Sequence, residues 1–151
     1  MILLKECAMR EDEIKTNPRI LLVEDNPAES RLIREIFKGF DPGCIIVSAK
    51  DGVEATDILL RDKDTNFDII ILDLNLPRKS GLEVLSEIKK DTPASGIPVV
   101  VLSTSDSETD IKRSYELSAN CYITKPAGLD SLIDAVRGID NFWLVLSKRM
   151  H

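Results

Sequence analysis

The sequence predicts an α/β fold: a doubly wound, five-stranded parallel sheet with helices on both faces. Three features carry that reading. Five short, almost unbroken apolar runs recur along the 151 residues, each is followed by a stretch with helical periodicity, and conspicuous polar residues sit just after several of the runs. An unbroken apolar run marks a strand covered on both sides, because a half-exposed strand alternates. Strands alternating with helices make a parallel sheet.

The first run is Ile20-Leu21-Leu22-Val23, stopped by Glu24-Asp25. Asn26-Pro27 opens a helix, with Asn as cap and Pro in a first turn whose amides need no intrahelical partner. Leu32, Ile33, Ile36 and Phe37 form its apolar face, and Gly39 is expected to end it. Residues 44–49 read as the second strand, and 52–61 as a helix with Val53, Ile58 and Leu59 inward. Residues 67–72 form the third strand, running directly into Asp73. After Pro77 and Gly81, a helix carries Leu82, Val84, Leu85 and Ile88. The fourth strand covers 98–102, a more polar helix 107–117, and a short fifth strand 121–124, before Lys125-Pro126 and a last helix from about Leu129. Right-handed crossovers favour the flavodoxin-like order 2-1-3-4-5, whose ligands bind at the carboxyl ends of the strands.

Composition narrows the function. With 43% apolar and 30% charged residues, the chain is neither disordered nor membrane-spanning in character. A net charge of −6 argues against direct DNA binding, since phosphates attract Lys and Arg, and points to protein partners. Cys7, Cys44 and Cys121 lack paired spacing, which favours reduced thiols. Ile2-Leu3-Leu4 is too short for a secretory signal, so a cytoplasmic location without membrane attachment is expected.

At the strand ends, Glu24-Asp25, Asp73 and Lys125 would converge, because strands one and three are neighbours in this order. Gathered carboxylates repel unless a cation lies between them, and a few hard oxygens suit Mg²⁺. A carboxylate can also act as nucleophile toward phosphorus. Lys125 offers a compact positive charge, and Ser103, after the fourth strand, a hydroxyl; strand alternation should turn the adjacent Thr104 the other way. One acidic residue after a strand is usually only a helix cap; the set on successive strands is what points to a site.

The segments ILLVEDNPAE, DIIILDLNLPRKSGLEVL, IPVVVLSTS and CYITKP resemble the receiver domain of bacterial response regulators, over residues 19–138. The resemblance implies phosphoryl transfer to Asp73 from a phosphohistidine on a sensor histidine kinase. It also implies Mg²⁺ held by Asp25, Asp73 and the backbone carbonyl of Asn75, with Glu24 acting largely through water, and Ser103 and Lys125 meeting the phosphoryl group. Tyr122 falls at the family's switch aromatic, and Pro126 at a proline that is often cis. DLNLPRKSGLEVL, SYELSANCYITKP and GIDNFWL further resemble small regulators that partner phytochrome-type kinases. In this reading the protein is a phosphoacceptor rather than an enzyme acting on other molecules. The only histidine is His151, so the phosphoryl donor must be another molecule.

The expected organisation is an N-terminal extension over 1–17, a receiver domain over 18–138, and a continuation of the last helix over 139–151. The apolar stripe of that helix runs from Leu129, Leu132, Ile133 and Val136 to Ile139, Phe142, Trp143 and Leu146. The last four are the candidate contacts of a homodimer. The alternative is a pseudo-receiver, a phosphorylation-independent interaction module, whose mark would be a missing Asp or Lys. A haloacid-dehalogenase phosphatase, a Toprim nuclease and a flavodoxin all fit the motifs worse.

Overall fold

The computed structural model describes residues 17–146, with side chains as far as Trp143. Apart from Asn17, the N-terminal extension lies outside the described residues, as do Cys7, His151 and the side chain of Leu146. Strands β1 (Arg19–Val23), β2 (Ile45–Ala49), β3 (Ile69–Leu72), β4 (Val99–Ser103) and β5 (Cys121–Thr124) form one parallel sheet in the order β2-β1-β3-β4-β5, as the alternation of elements predicts. Between and after them lie α1 (Pro27–Phe40), α2 (Gly52–Thr56), α3 (Gly81–Ile88), α4 (Glu108–Glu116) and α5 (Leu129–Ile139).

The unbroken apolar runs are explained by a core on each side of the sheet. Successive side chains of a strand point to opposite faces. Leu21, Val23, Ile70, Leu72, Val99 and Val101 therefore pack with Ala55, Leu59, Val84, Leu85 and Ile88. Their neighbours Ile20, Leu22, Ile69, Ile71, Val100 and Leu102 pack instead with Ile33 and Phe37 of α1 and Leu132, Val136 and Ile139 of α5. The three inner strands are consequently buried from end to end, Arg19 excepted.

Several elements depart from expectation, each for a local reason. Helix α1 passes through Gly39 and ends at Phe40, because Phe40 packs on the α1–α5 core and offsets the glycine penalty of about 1 kcal/mol. The helix expected over 52–61 splits into α2 and a π-turn at Asp57–Arg61, where the Asp62 amide donates to Asp57 O. The Thr56 hydroxyl donates to the carbonyls of Gly52 and Val53, which competes with the regular ladder there. A 3-10 turn at Pro93–Gly96, not expected, buries Ala94.

At the C-terminal end, Gly138 does not stop the helix: α5 reaches Ile139 and continues as a π-type segment, Asp140–Leu146. The inward stripe starts one turn later than read from the sequence. Leu129 is 55% exposed, whereas Ile139, expected at a dimer contact, is 1% exposed in the protein's own core. Trp143 also leans on that core, while Phe142 is 57% exposed. Among the described residues, no helix is long and apolar enough to cross a membrane.

Candidate functional site

Strand register assembles the site. Val23 pairs with Ala49 on one side and Leu72 on the other, so the residues that follow leave the sheet edge together. The Glu24 amide donates to Ala49 O at 3.0 Å, the Asp73 amide to Val23 O at 3.0 Å, and the Lys125 amide to Ser103 O at 2.7 Å. Glu24, Asp25 and Asp73 can each offer an oxygen within 4.8 Å of the others. Glu24 and Asp73 are buried, while Asp25 faces solvent.

Lys125 closes the cluster from β5. Its side chain is only 6% exposed, and its Nζ donates to Glu24 Oε1 at 2.6 Å, Glu29 Oε2 at 2.6 Å and Asp73 Oδ2 at 3.2 Å. The other Asp73 oxygen, Oδ1, accepts from the Asn75 amide at 3.1 Å. Behind this loop, Gly81 is required by a close approach: a Cβ there would collide with the Asp73 carbonyl oxygen. The Gly81 amide donates to Leu74 O at 2.9 Å, and Ser80 and Glu83 cap α3 reciprocally. Arg78, at a left-handed φ of 67°, reaches Asp51, which caps α2.

Crowding sets the protonation states. Burial pushes Glu24 up to about 9, helped by the carboxylates of Glu29 and Asp73, with Lys125 pulling the other way. Burial also tends to raise Asp73, but the neighbouring Glu24 carboxyl, the Asn75 amide and Lys125 hold it below the usual carboxylate range. For Lys125, the surrounding carboxylates outweigh burial and hold the ammonium above its ordinary value. Glu24 Oε2 is buried without a hydrogen-bond partner. An orphaned buried oxygen among hard oxygen donors is what a divalent cation would satisfy, so these residues fit one.

Ser103 is fully buried and Thr104 exposed. Ser103 Oγ accepts from the Ser105 amide at 3.4 Å, and the half-buried Tyr122 donates its hydroxyl to Ser105 O at 2.6 Å. These hydrogen bonds tie both residues to the loop between β4 and α4 rather than to Asp73. The Ser105 hydroxyl in turn donates to Asp110 Oδ2 at 2.6 Å. All peptide bonds among the described residues are trans, so Lys125–Pro126 does not take the cis form that the resemblance implied.

Glu29 was not anticipated. In the sequence it reads as a first-turn acid that complements the α1 dipole. Its contact with a lysine 96 positions away exists only once α1 is laid beside β5.

The chain is similar to known proteins in sequence and fold. A model of the response regulator receiver domain matches residues 20–137. Response regulator Rcp1 of Synechocystis sp. is 44% identical over 137 residues, spanning 88% of this chain and 93% of that protein. The crystal structure of the phosphorylated cyanobacterial phytochrome response regulator RcpA matches with a TM-score of 0.80 at 48% identity, over 85% of this chain and 95% of that one. The Mn²⁺-bound form of Rcp1 matches with a TM-score of 0.78 at 44% identity, over 84% and 94% respectively. From its sequence, its strand order and the acidic edge beside Lys125, this chain belongs to the response regulator receiver domain family.

Proposed function

We propose that the protein is a phosphorylation switch in two-component signalling, taking a phosphoryl group on Asp73 from a sensor histidine kinase. The observation that carries this reading is the approach of Lys125 Nζ to 3.2 Å from Asp73 Oδ2, beside two further carboxylates. In the transfer, an Asp73 carboxylate oxygen attacks phosphorus while the bond to the donor's imidazole nitrogen breaks, and the electron pair leaves with the imidazole. Mg²⁺, held by Glu24, Asp25, Asp73 and the Asn75 carbonyl, would neutralise charge on the phosphoryl oxygens. Lys125 pairs with one of those oxygens, and the Asn75 amide keeps the acceptor carboxylate oriented.

Ser103 then turns toward the new group and Tyr122 follows, changing the face made by α4, β5 and α5. In support, α4 buries only Ser114 and β5 is half-buried, so this side has little packing to resist movement. The net charge of −6 fits a protein partner rather than DNA, and a cytoplasmic site of action follows from the expected kinase. The likeness to Rcp1 and RcpA supports a phytochrome-type kinase as donor. A homodimer is proposed through Phe142, which borders a groove of about 620 Å³ between β5 and α5; a strictly monomeric mass with and without phosphate would remove it.

Intact-protein mass after incubation with acetyl phosphate tests the switch. Wild type should gain one phosphoryl group only when Mg²⁺ is present, and Asp73→Asn none. No gain under any condition would leave a phosphorylation-independent interaction module as the function of this fold.

A further inference from the structure

The charges at the strand edge do not balance in the way the proposed switch needs. Glu24, Asp25 and Asp73 would be neutralised by Lys125 together with one divalent cation. Glu29 is surplus. It stands on the first turn of α1, its side chain 40% exposed, yet its Oε2 lies 2.6 Å from Lys125 Nζ, closer than Asp73 Oδ2 at 3.2 Å. Glu29 is therefore an ion-pair partner of the ammonium.

We propose that Glu29 is a positioning residue that restrains Lys125 in the unphosphorylated state, acting as a brake on phosphoryl acceptance at Asp73. Lys125 has three donor hydrogens, and in this structure Glu24, Glu29 and Asp73 take all three. To meet a phosphoryl oxygen the ammonium must give up at least one of them. Glu24 and Asp73 remain within the reacting cluster, so Glu29 is the partner that is released. Helix α1 thus sets how readily Asp73 is phosphorylated through a contact with β5, without touching Asp73 itself. The inference rests on the proposed phosphoacceptor function.

The test compares wild type with Glu29→Gln, which keeps side-chain length and a half-exposed position. With acetyl phosphate and Mg²⁺, Glu29→Gln should be phosphorylated about two- to fivefold faster, the factor expected for one partly exposed ion pair. In a Lys125→Ala background the same substitution should have no such effect. An equal or slower rate in Glu29→Gln would overturn the brake, and an undiminished gain in the Lys125→Ala background would overturn its route through Lys125. The Lys125 ammonium resonance in metal-free, unphosphorylated protein gives a readout that needs no reaction. Its protons should exchange several-fold faster in Glu29→Gln, and unchanged exchange would refute the restraint. A wild type that takes no phosphoryl group would defeat the proposed function, while this resonance would still decide what Glu29 does.

Discussion

The two halves of the candidate site rest on very different ground. Its acidic half hangs from β1 and β3, whose apolar residues are buried on both faces and held by strands on either side. Its cationic and aromatic half, Lys125 and Tyr122, comes from β5 and the residue directly after it; β5 is an edge strand with no fully buried residue, flanked by α4, which buries a single serine. Strands packed on both faces open only with the whole fold, whereas edges with few buried contacts move at lower cost. The acids proposed to bind metal and the proposed acceptor therefore belong to a fixed frame. The groups proposed to respond to phosphorylation belong to the part that can yield.

The comparison is broken most directly by cutting equivalent cavities in the two halves. Ile71→Ala, on β3, should destabilise by about 3–4 kcal/mol, and Ile123→Ala, on β5, by roughly half as much, measured by urea unfolding. Equal losses would show that the sheet is uniform and that the edge holds no reserve of mobility.

Next in size is Gly81→Ala. Its Cβ must displace the Asp73 carbonyl, costing about 2 kcal/mol and slowing phosphoryl acceptance about 10- to 100-fold through misplacement of the acceptor. Stability and rate measured together separate a distorted loop from a general loss of fold.

The third concerns pH. The folded-state value of Glu24, about 9, lies above its unfolded value of 4.5, so folding takes up a proton between them. Its contribution is fully present below about pH 4.5 and is lost as pH rises toward 9. Asp73 and Glu29, held low, act oppositely, and only in acid. In metal-free buffer, Glu24→Gln should flatten the fall in Tm across this range by about 3–6 °C. Excess Mg²⁺ should flatten it in wild type, since a cation restores the ionised form.

The smallest effect is Tyr122→Phe. Loss of the hydroxyl's bond to Ser105 O should cost about 1 kcal/mol and leave phosphorylation intact. The response of the α4-β5-α5 face, followed by amide hydrogen exchange, should weaken. Loss of phosphorylation itself would place Tyr122 in the chemistry instead.

Much of this was legible along the chain, for a physical reason. A strand covered on both faces must be apolar at every position, so Ile20–Val23, Ile69–Leu72 and Val99–Leu102 declare themselves without any tertiary information. Their common direction brings the polar residues that end them to one edge, which is why Glu24, Asp25, Asp73 and Lys125 could be grouped by reading order alone. Local chemistry was enough for the cap at Asn26, which accepts from the Ala28 and Glu29 amides. Other features depend on energies that no window of sequence contains. Gly39 lies inside α1 because Phe40 finds a core to join, and Ile139 belongs to that core, not to an interface, because the buried stripe of α5 starts at Leu132 and runs through Val136 to Ile139. Glu29 is the sharpest case. The Asn26-Pro27 start puts it on the first turn of α1, but its partner was decided by the packing of α1 beside the end of β5, which brings together charges that are remote in the chain.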